Sequence, residues 1–497
     1  MWRDLGITKQ EWEQTPPAVR TVLLSLQHQV RLMGIRFTAY EHQIADLRQQ
    51  IATVDDLKAE IAELRERLGQ NSSNSSKPPS SDPPSSTRKP ASEPKGRQRG
   101  AQPGHQGKSR NLKPVDEVDT VIELRPASCQ QCGDVLRGDD PRPTRHQVSE
   151  IPRVRAEVTE YRRHTLRCLA CGTQNQAAWP KDVPAGSFGP RVQATVGYLT
   201  GRLGASHRDA AEVMEVMYGL EVGLGSVAAI QQQVSGALAE PVEAAQQFVE
   251  QQKAQYVDET GWQEGEQQKW LWINATSDVT AFNVLDGRSS DDARQVISRG
   301  AKGVVATDRY AAYNWLAPRR RQICWAHLAR DFQALVDRGG DSAATGQALL
   351  KQVKRLFALW PKVRGGELSR EEFQRAMKPV RQQVKKLLQA GTRSAHPKTR
   401  RTCTNIVKVE QSLWTFVRVE DVEPTNNAAE RGLRRAVLWR RKSFGTQSIT
   451  GSRFVGRILT TVTTLRQQGR DVLDYLTDAC CARLGGQAFS GLVPDSS

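Results

Sequence analysis

Residues 254–260 read AQYVDET and place an aspartate at the end of an apolar segment with strand character. The next two segments, KWLWIN at 269–274 and VTAFNVL at 279–285, alternate between apolar and polar positions as the strands of a meander do. A helix is predicted over 290–298, and a further apolar strand, GVVATD at 303–308, again ends in an aspartate. The pattern predicts three antiparallel strands, a crossover helix and a fourth strand, with an acid on the first strand and another after the fourth.

Acids at these two positions, Asp258 and Asp308, fit a ribonuclease H-like α/β core. Mg²⁺ (or Mn²⁺) is the cofactor that such a site needs, because hard cations prefer carboxylate oxygens. Two ions about 3.5–4 Å apart activate the attacking oxygen and stabilise the leaving oxygen during phosphodiester cleavage. The sequence therefore predicts a metal-dependent catalytic site that Asp258 and Asp308 share.

A third carboxylate has to come from a distant helix. The best candidate is Glu430, about one turn into a helix predicted to start at Pro424 and Thr425 within EPTNNAAERGLRR. Glu423 and Glu259 compete with it, and each acid taken singly is an ordinary surface carboxylate. The ordered set of three acids is what predicts the site.

The catalytic domain is predicted over 250–445, with an all-helical insertion at about 340–418 and a helical C-terminal segment over 446–490. Within the insertion, helices are expected over 342–359, 369–390 and 404–417. A basic run follows the third acid, and it is either a solvated helix face or a clamp for DNA phosphates. Its members are Arg434, Arg435, Arg440, Arg441 and Lys442.

Amino-acid composition indicates which kind of binding partner and which cellular compartment to expect. The 497 residues carry a net charge of +17, which favours a polyanionic partner such as double-stranded DNA. We find no apolar run of membrane-spanning length and no secretory signal, so no membrane partner is expected. The eight cysteines include two C-x-x-C pairs, a pattern that suits metal binding in a reducing cytoplasm.

A coiled coil is predicted over 19–68, because apolar residues recur at steps of three and four from Val19 to Leu68. Self-association into a homo-oligomer follows, and the alternative is a helix packed on its own globular domain. The polar stretch QNSSNSSKPPSSD at 70–82 opens a disordered Ser/Pro-rich and basic linker over 69–115. The basic part of this linker, residues 88–113, would bind successive phosphates when it lies beside DNA.

A zinc-binding domain is predicted over 116–185. Cys129 and Cys132 form one C-x-x-C pair, Cys168 and Cys171 form the other, and a glycine follows each pair directly. Four thiolates complete the tetrahedral shell of a structural Zn²⁺, and the strand-like segment between the pairs fits a zinc ribbon. The alternative is four unpaired thiols.

Helical spacing with glycine-containing turns over 190–245 predicts either a helix-turn-helix-like DNA-binding region or an ordinary helical bundle. The overall fold class is thus multidomain α+β. Its parts are an N-terminal coiled coil, a zinc ribbon, a helical DNA-binding region and the ribonuclease H-like core with its helical insertion.

Several of these motifs resemble those of bacterial insertion-sequence transposases of family 66. The resemblance is carried by QNSSNSSKPPSSD and GAQPGHQG in the linker, and by VDET, TDRYAAY and NNAAER around the three acids. CWAHLAR at 324–330 also resembles the family. Its Cys324 and His327 either flank the active site, with His327 touching the scissile phosphate, or are a buried thiol and a surface imidazole.

The resemblance implies a transposase with a catalytic Asp-Asp-Glu triad. Such an enzyme binds the terminal inverted repeats of its element, hydrolyses a phosphodiester to free a 3′-OH, and joins that end to target DNA. The location implied is the bacterial cytoplasm, on the nucleoid, and companion proteins of the element stay an open question. Two alternatives remain: a non-catalytic DNA-binding regulator derived from a transposase, and a structure-specific nuclease.

Overall fold

The computed structural model describes residues 6, 8–75, 111–298, 300–489 and 491–494. The chain divides into two compact units. The first comprises the described residues of 1–82 with 327–364 and 382–407, and the second comprises the described residues of 83–326, 365–381 and 408–497. Most of the predicted linker, from 76 to 110, lies outside the described residues.

Helices dominate a mixed α+β fold. The helices are α1 (Lys9–Gln14), α2 (Pro17–Leu68), α3 (Pro190–Gly201), α4 (His207–Tyr218), α5 (Leu224–Ala237), α6 (Ala239–Gln251), α7 (Ser290–Val296), α8 (Trp325–Asp337), α9 (Gly340–Arg364), α10 (Arg370–Gly391), α11 (Pro397–Lys408), α12 (Thr415–Arg418), α13 (Asn427–Ser443), α14 (Ile449–Gln467) and α15 (Val472–Leu484). The strands are β1 (Thr165–Arg167), β2 (Gln174–Gln176), β3 (Ala254–Glu264), β4 (Gln267–Ala275), β5 (Thr280–Leu285), β6 (Val304–Thr307) and β7 (Arg321–Ile323). Within the described ranges, no helix is both long and apolar enough to cross a bilayer.

Helix α2 confirms the predicted N-terminal helix. It begins at Pro17, whose fixed φ suits a first helical position, and continues for 52 residues to Leu68. Apolar residues of the predicted seam are exposed along it, including Val30 at 68% and Phe37 at 66%. In its last turn, Glu66 forms ion pairs within the first unit. Pairing of α2 into a coiled coil stays a prediction.

Glu66 attaches the end of α2 to the helical insertion. Its carboxylate lies 3.1 Å from Arg338 and 2.7 Å from Lys398, both in the same unit. Helices α9 and α10 match the first two helices expected in the insertion. The third was expected over 404–417, and that placement is wrong, because α11 already starts at Pro397 and ends at Lys408. A 3-10 turn over Glu410–Leu413 and the short α12 follow it.

The central sheet has five strands in the order β5-β4-β3-β6-β7. The pairs β3–β4 and β4–β5 are antiparallel, whereas β3–β6 and β6–β7 are parallel. Helix α7 connects β5 to β6 in the chain, as the sequence pattern predicts for a crossover. Because β3 and β6 are parallel and Tyr256 is opposite Ala306, the carboxyl end of β6 lies beside the middle of β3.

Both faces of this sheet are covered. On one face, Tyr256, Leu271 and Ile273 share a core with Leu433 of α13 and Leu459 of α14. The opposite face packs Val257 and Trp272 against α7 and the 3-10 turn Ala311–Tyr313. Because neighbouring residues of a strand point to opposite faces, each residue of β3 can be assigned to one of the two layers.

Helices α3 to α6 form a bundle with α14 and α15. Their shared core includes Val196, Ile230, Val242, Ile458 and Leu476, each 4% exposed or less. Helix α5 contributes five buried residues, so much of its surface is inside this bundle. The predicted helices over 190–245 are present, and their reading as a helix-turn-helix stays a prediction.

Candidate active site

Strand β3 carries the first predicted acid, Asp258, on the face that α13 covers. Tyr256 lies two residues earlier and packs against Ala429 and Leu433 of α13. Thr260 lies two residues later and accepts a 3.0 Å hydrogen bond from Arg440 of the same helix. Since side chains alternate along a strand, Asp258 points to the same helix.

Asp308 follows β6 directly and lies level with Asp258. In the parallel ladder, Tyr256 of β3 is opposite Ala306 of β6, so the two acids lie two residues beyond matched positions. Neighbouring strands are about 4.8 Å apart. The Asp308 carboxylate accepts a 2.8 Å hydrogen bond from the backbone N–H of Tyr310, which fixes the turn after the strand.

Glu430 lies in the first turn of α13, close to where the sequence expected it. The helix begins at Asn427, and Asn426 precedes it as the cap residue. The Asn426 side chain donates a 2.8 Å hydrogen bond to the carbonyl of Val257, so the start of α13 is tied to β3 beside Asp258. The Asn-Asn-Ala-Ala-Glu order therefore has a structural reason: it docks the helix that carries the acid.

Asp258 lies within reach of the charges of the other two acids. Burial is the main cause that raises the pKa of Asp258 well above its ordinary value, and the charges of Glu259, Asp308 and Glu430 raise it further. Glu423 is not among the groups that shift it. Glu423 lies in the loop before α13, where its backbone N–H donates to the Tyr256 hydroxyl at 3.0 Å. The geometry favours Glu430 over Glu423.

Glu259 lies on the opposite face of the sheet from α13. Its carboxylate accepts a hydrogen bond from the Tyr313 hydroxyl, and Tyr313 packs edge-to-face on Trp272 with ring centroids 6.1 Å apart. Burial, followed by the charge of Asp308, raises the pKa of Glu259 to about 7. Glu259 thus borders the site from beneath the sheet, and Asp258 is the acid of this pair that faces Glu430.

A buried arginine holds the loop that carries Asp308. Arg321 on β7 is 2% exposed and donates to the carbonyl of Asp308 at 2.9 Å and to the carbonyl of Tyr310 at 3.3 Å. It also donates to the Thr307 hydroxyl at 3.1 Å and to the Asn314 side chain at 2.9 Å. Sequence reasoning missed this residue, because it ends a run of three arginines that reads as a surface charge cluster.

With this geometry in view, comparison with known proteins identifies the family. Residues 185–453 match the family described as "Transposase IS66 family". The chain belongs to this family. Residues 30–111 match a family of unknown function (DUF6444). The IS66 match covers the central sheet, all three acids and the helical insertion.

One curated protein is a distant relative of this chain. The "Uncharacterized protein y4qI" of Sinorhizobium fredii (strain NBRC 101917 / NGR234) is 28% identical over 233 residues, which is 42% of this chain and 42% of that protein. This IS66-family chain therefore spans less than half the length of the relative it matches. The printed name of that protein states no activity.

Cys324 and His327, the other predicted pair of this IS66-family chain, follow β7. Cys324 is fully buried, and its Sγ accepts a 3.2 Å hydrogen bond from the backbone N–H of Asn426. The same sulfur lies within 4.8 Å of a Glu430 carboxylate oxygen. Cys324 therefore packs directly behind the third acid. His327 is half-buried in the first turn of α8, and its contact with the scissile phosphate stays a prediction.

The basic run of α13 divides into two kinds of residue. Arg434, Arg435, Arg441 and Lys442 are exposed and open to a polyanion. Arg440 instead donates hydrogen bonds to Thr260 and to the carbonyl of Gly261, and burial lowers the pKa of its guanidinium. Arg440 thus fastens α13 to β3, a role that charge patterning in the sequence does not indicate.

The two C-x-x-C pairs form turns of matching geometry. The N–H of Gly133 donates to the carbonyl of Cys129 at 2.9 Å, and the N–H of Gly172 donates to that of Cys168 at 2.9 Å. Both glycines have positive φ, +81° and +75°, which explains why glycine follows each pair. Among the described residues, no three of the four thiols come within 4.8 Å of one another, so the structure forms each half-site separately.

Proposed function

We propose that this chain is a DDE transposase that cuts and joins DNA with Asp258, Asp308 and Glu430. The observation that carries the proposal is the convergence of these acids just beyond the end of the parallel ladder between β3 and β6, beneath the first turn of α13. The IS66-family match supports the class of enzyme. A ribonuclease H-like core fits the sheet order, since the first three strands are antiparallel and the next two parallel.

The donor chemistry fits a hard divalent cation. Carboxylate oxygens are the ligands that Mg²⁺ and Mn²⁺ favour, and the pKa of Asp258 is raised first by burial and then by the charges of Glu259, Asp308 and Glu430. When bound, such cations polarise the phosphodiester and lower the pKa of the attacking water. Asp258, Asp308 and Glu430 are the residues that would hold them.

The residues of the chain contribute position and charge. Arg321 and the Tyr310 N–H fix the Asp308 turn, while Asn426 fixes the start of α13. Holding the ligands in place before substrate arrives reduces the reorganisation that the reaction requires. Helix α13, which carries Glu430, also carries the exposed cations Arg434, Arg441 and Lys442. These side chains are suited to bind phosphates on either side of the scissile bond.

The remaining parts complete a protein that assembles on DNA ends in the bacterial cytoplasm. Zn²⁺ is expected at Cys129, Cys132, Cys168 and Cys171, because two preformed C-x-x-C turns supply four thiolates. Hydrogen bonds lower the pKa of Cys129, mainly from the backbone at Cys132, and that of Cys171, mainly from Thr173. Self-association through α2 would join two catalytic cores at the two ends of one element.

The decisive experiment measures metal-dependent nicking and joining of labelled inverted-repeat ends by the full chain. Asp258→Ala, Asp308→Ala and Glu430→Ala should each reduce cleavage by orders of magnitude, because each removes a ligand from a shared cage. Binding of the same ends should survive, since phosphate attraction comes from cationic side chains. Glu423→Ala tests the rival third acid, and the exposed Glu266→Ala from the β3–β4 hairpin serves as a charge-matched control.

Normal cleavage by Glu430→Ala with a dead Glu423→Ala protein would show that the third acid is assigned wrongly. If the parent binds ends and never cuts in Mg²⁺ or Mn²⁺, the non-catalytic regulator is the better description. Cutting of branched or mismatched DNA without joining would instead support the structure-specific nuclease.

A further inference from the structure

The end of α3 meets two other helices at a point that no catalytic residue occupies. A Cβ on Gly201 would lie 2.4 Å from Ile458 of α14, so the two helices touch there through the bare glycine. The space beside Gly204 is filled by the Trp439 ring of α13, 3.8 Å away. Arg202 lies between these two glycines and therefore projects from the junction of α3, α13 and α14.

Two further guanidinium groups act on Arg202. Arg435 lies one turn before Trp439 on α13, on the side of that helix that faces the turn at Gly204. Arg466 lies in the last turn of α14. Burial is the largest cause that lowers the pKa of Arg202, and the charges of Arg435 and Arg466 come next. Tyr198 acts in the other direction, and no carboxylate is among the groups that shift the pKa of Arg202.

A second observation is independent of charge. The Nη1 atom of Arg202 is buried and has no hydrogen-bond partner within the described part of the protein. Buried polar hydrogens are normally paired, because leaving one without an acceptor costs the folded state. An unpaired donor beside two further guanidinium groups is suited to an anion with several acceptor oxygens. Arg435 and Arg466 are exposed, so a large ligand can reach these two side chains beside the partly buried Arg202.

We propose that Arg202, Arg435 and Arg466 form a binding site for one backbone phosphate of double-stranded DNA. The inference rests on the proposed function, since it needs a chain that binds duplex DNA. A phosphodiester suits the site because arginine forks donate paired hydrogen bonds to its oxygens. The site would hold DNA against the bundle of α3–α6, α14 and α15, separately from the Glu430 turn.

The test compares Arg202→Gln with Arg191→Gln in the full chain. Each change removes one positive charge, Arg191 from the first turn of α3 and Arg202 from its C-cap, but Arg191 already pairs with Asp474 at 3.0 Å and is exposed. Binding of a labelled duplex is measured across a range of salt concentrations, together with the thermal unfolding temperature. Arg202→Gln should weaken binding about tenfold, the loss of one charge-assisted contact, and should reduce the slope of log affinity against log salt by about one.

The unfolding temperature separates phosphate binding from a structural role. Removing one of three mutually repelling charges should leave the unfolding temperature of the free protein unchanged or higher. Arg191→Gln should keep the parental salt slope. Equal affinity and slope for the parent and Arg202→Gln would overturn the site and leave the proposed function intact. A loss of affinity that comes with a lower unfolding temperature would also overturn it. A parent that binds no duplex at all would refute the proposed function itself.

Discussion

Glu259 offers a test of the electrostatics of the site that needs no DNA. We expect Glu259→Gln to stabilise the metal-free protein at neutral and alkaline pH. The amide keeps an oxygen that can accept the hydrogen bond of Tyr313, and it removes a carboxylate that is largely buried beside Asp308. Glu259 also raises the pKa of Asp258, so its removal relieves that acid as well.

The magnitude follows from the pKa. Burial and Asp308 raise the pKa of Glu259 from its ordinary 4.5 to about 7 in the folded protein. A raised pKa means that the folded state binds the proton more tightly than the unfolded state does. The stability that Glu259 contributes is therefore fully present below pH 4.5 and is lost as the pH rises through 7. The loss amounts to ~3 kcal/mol, and it is absent from the glutamine variant.

Urea unfolding with chelator present, followed by tryptophan fluorescence, provides the assay at several pH values between 4 and 8. Trp262 and Trp272 are buried in the sheet and report on the unit that contains the site. The stability of the variant minus that of the parent should grow across this range. Glu266→Gln, an exposed acid in the neighbouring hairpin, should show no such growth. A variant that is destabilised equally at all pH values would refute the reasoning.

Three further predictions concern assembly, zinc and the anchoring of α13. Residues 19–68 expressed alone should form a helical oligomer, and a monomeric mass in sedimentation at about tens of micromolar would contradict this. The purified chain should contain one Zn²⁺, and Cys129→Ser with Cys132→Ser should remove it; unchanged zinc content by metal analysis would exclude the site. Gly445→Ala should cost about 2–3 kcal/mol, since φ is +111° and the new Cβ would meet the carbonyl of Gln263 at 2.2 Å. Gly219→Ala, at φ +65° in open space, should cost about 1 kcal/mol, and equal unfolding midpoints for the two variants would show that the contact is unimportant.

The sequence predicted the parts of the fold that depend on local pattern. Strands β3 to β6 were readable because apolar runs of strand length end in polar or charged residues, and α13 was readable from the proline-containing segment just before it, although it begins at Asn427 and not at Pro424 or Thr425. Asp308 and Glu430 follow from these elements, since they lie at the end of β6 and in the first turn of α13. The pattern places Asp258 at the end of its strand as well, and that position is wrong, because β3 continues to Glu264 through its pairing with β4. Gly133 and Gly172 were equally readable, because a turn with positive φ favours glycine.

Contacts between distant segments were not predictable in this way. Arg321 reads as a surface charge until β7 is placed beside β6, where its fork meets the carbonyls of Asp308 and Tyr310. The orientation of Glu259 likewise depends on which face of β3 receives α13. The role of Arg440 depends on the same docking, because its partners are Thr260 and Gly261. Periodicity identifies a buried face and leaves its partner unspecified.

The second unit holds two clusters of like charge, the acids around Asp258 and the arginines around Arg202, and both have the same physical consequence. Burial is the main cause that raises the pKa of Asp258 and lowers the pKa of Arg202, and the charges of neighbouring carboxylates and guanidinium groups add to these shifts. Each cluster destabilises the free protein, and each persists because well-packed strands and helices fix its members in place. A ligand of the opposite charge relieves that repulsion only in the folded state, so its binding free energy adds to stability. On this reasoning, divalent cations and duplex DNA should each raise the unfolding temperature, and the two increments should be separable by Asp258→Asn and Arg202→Gln.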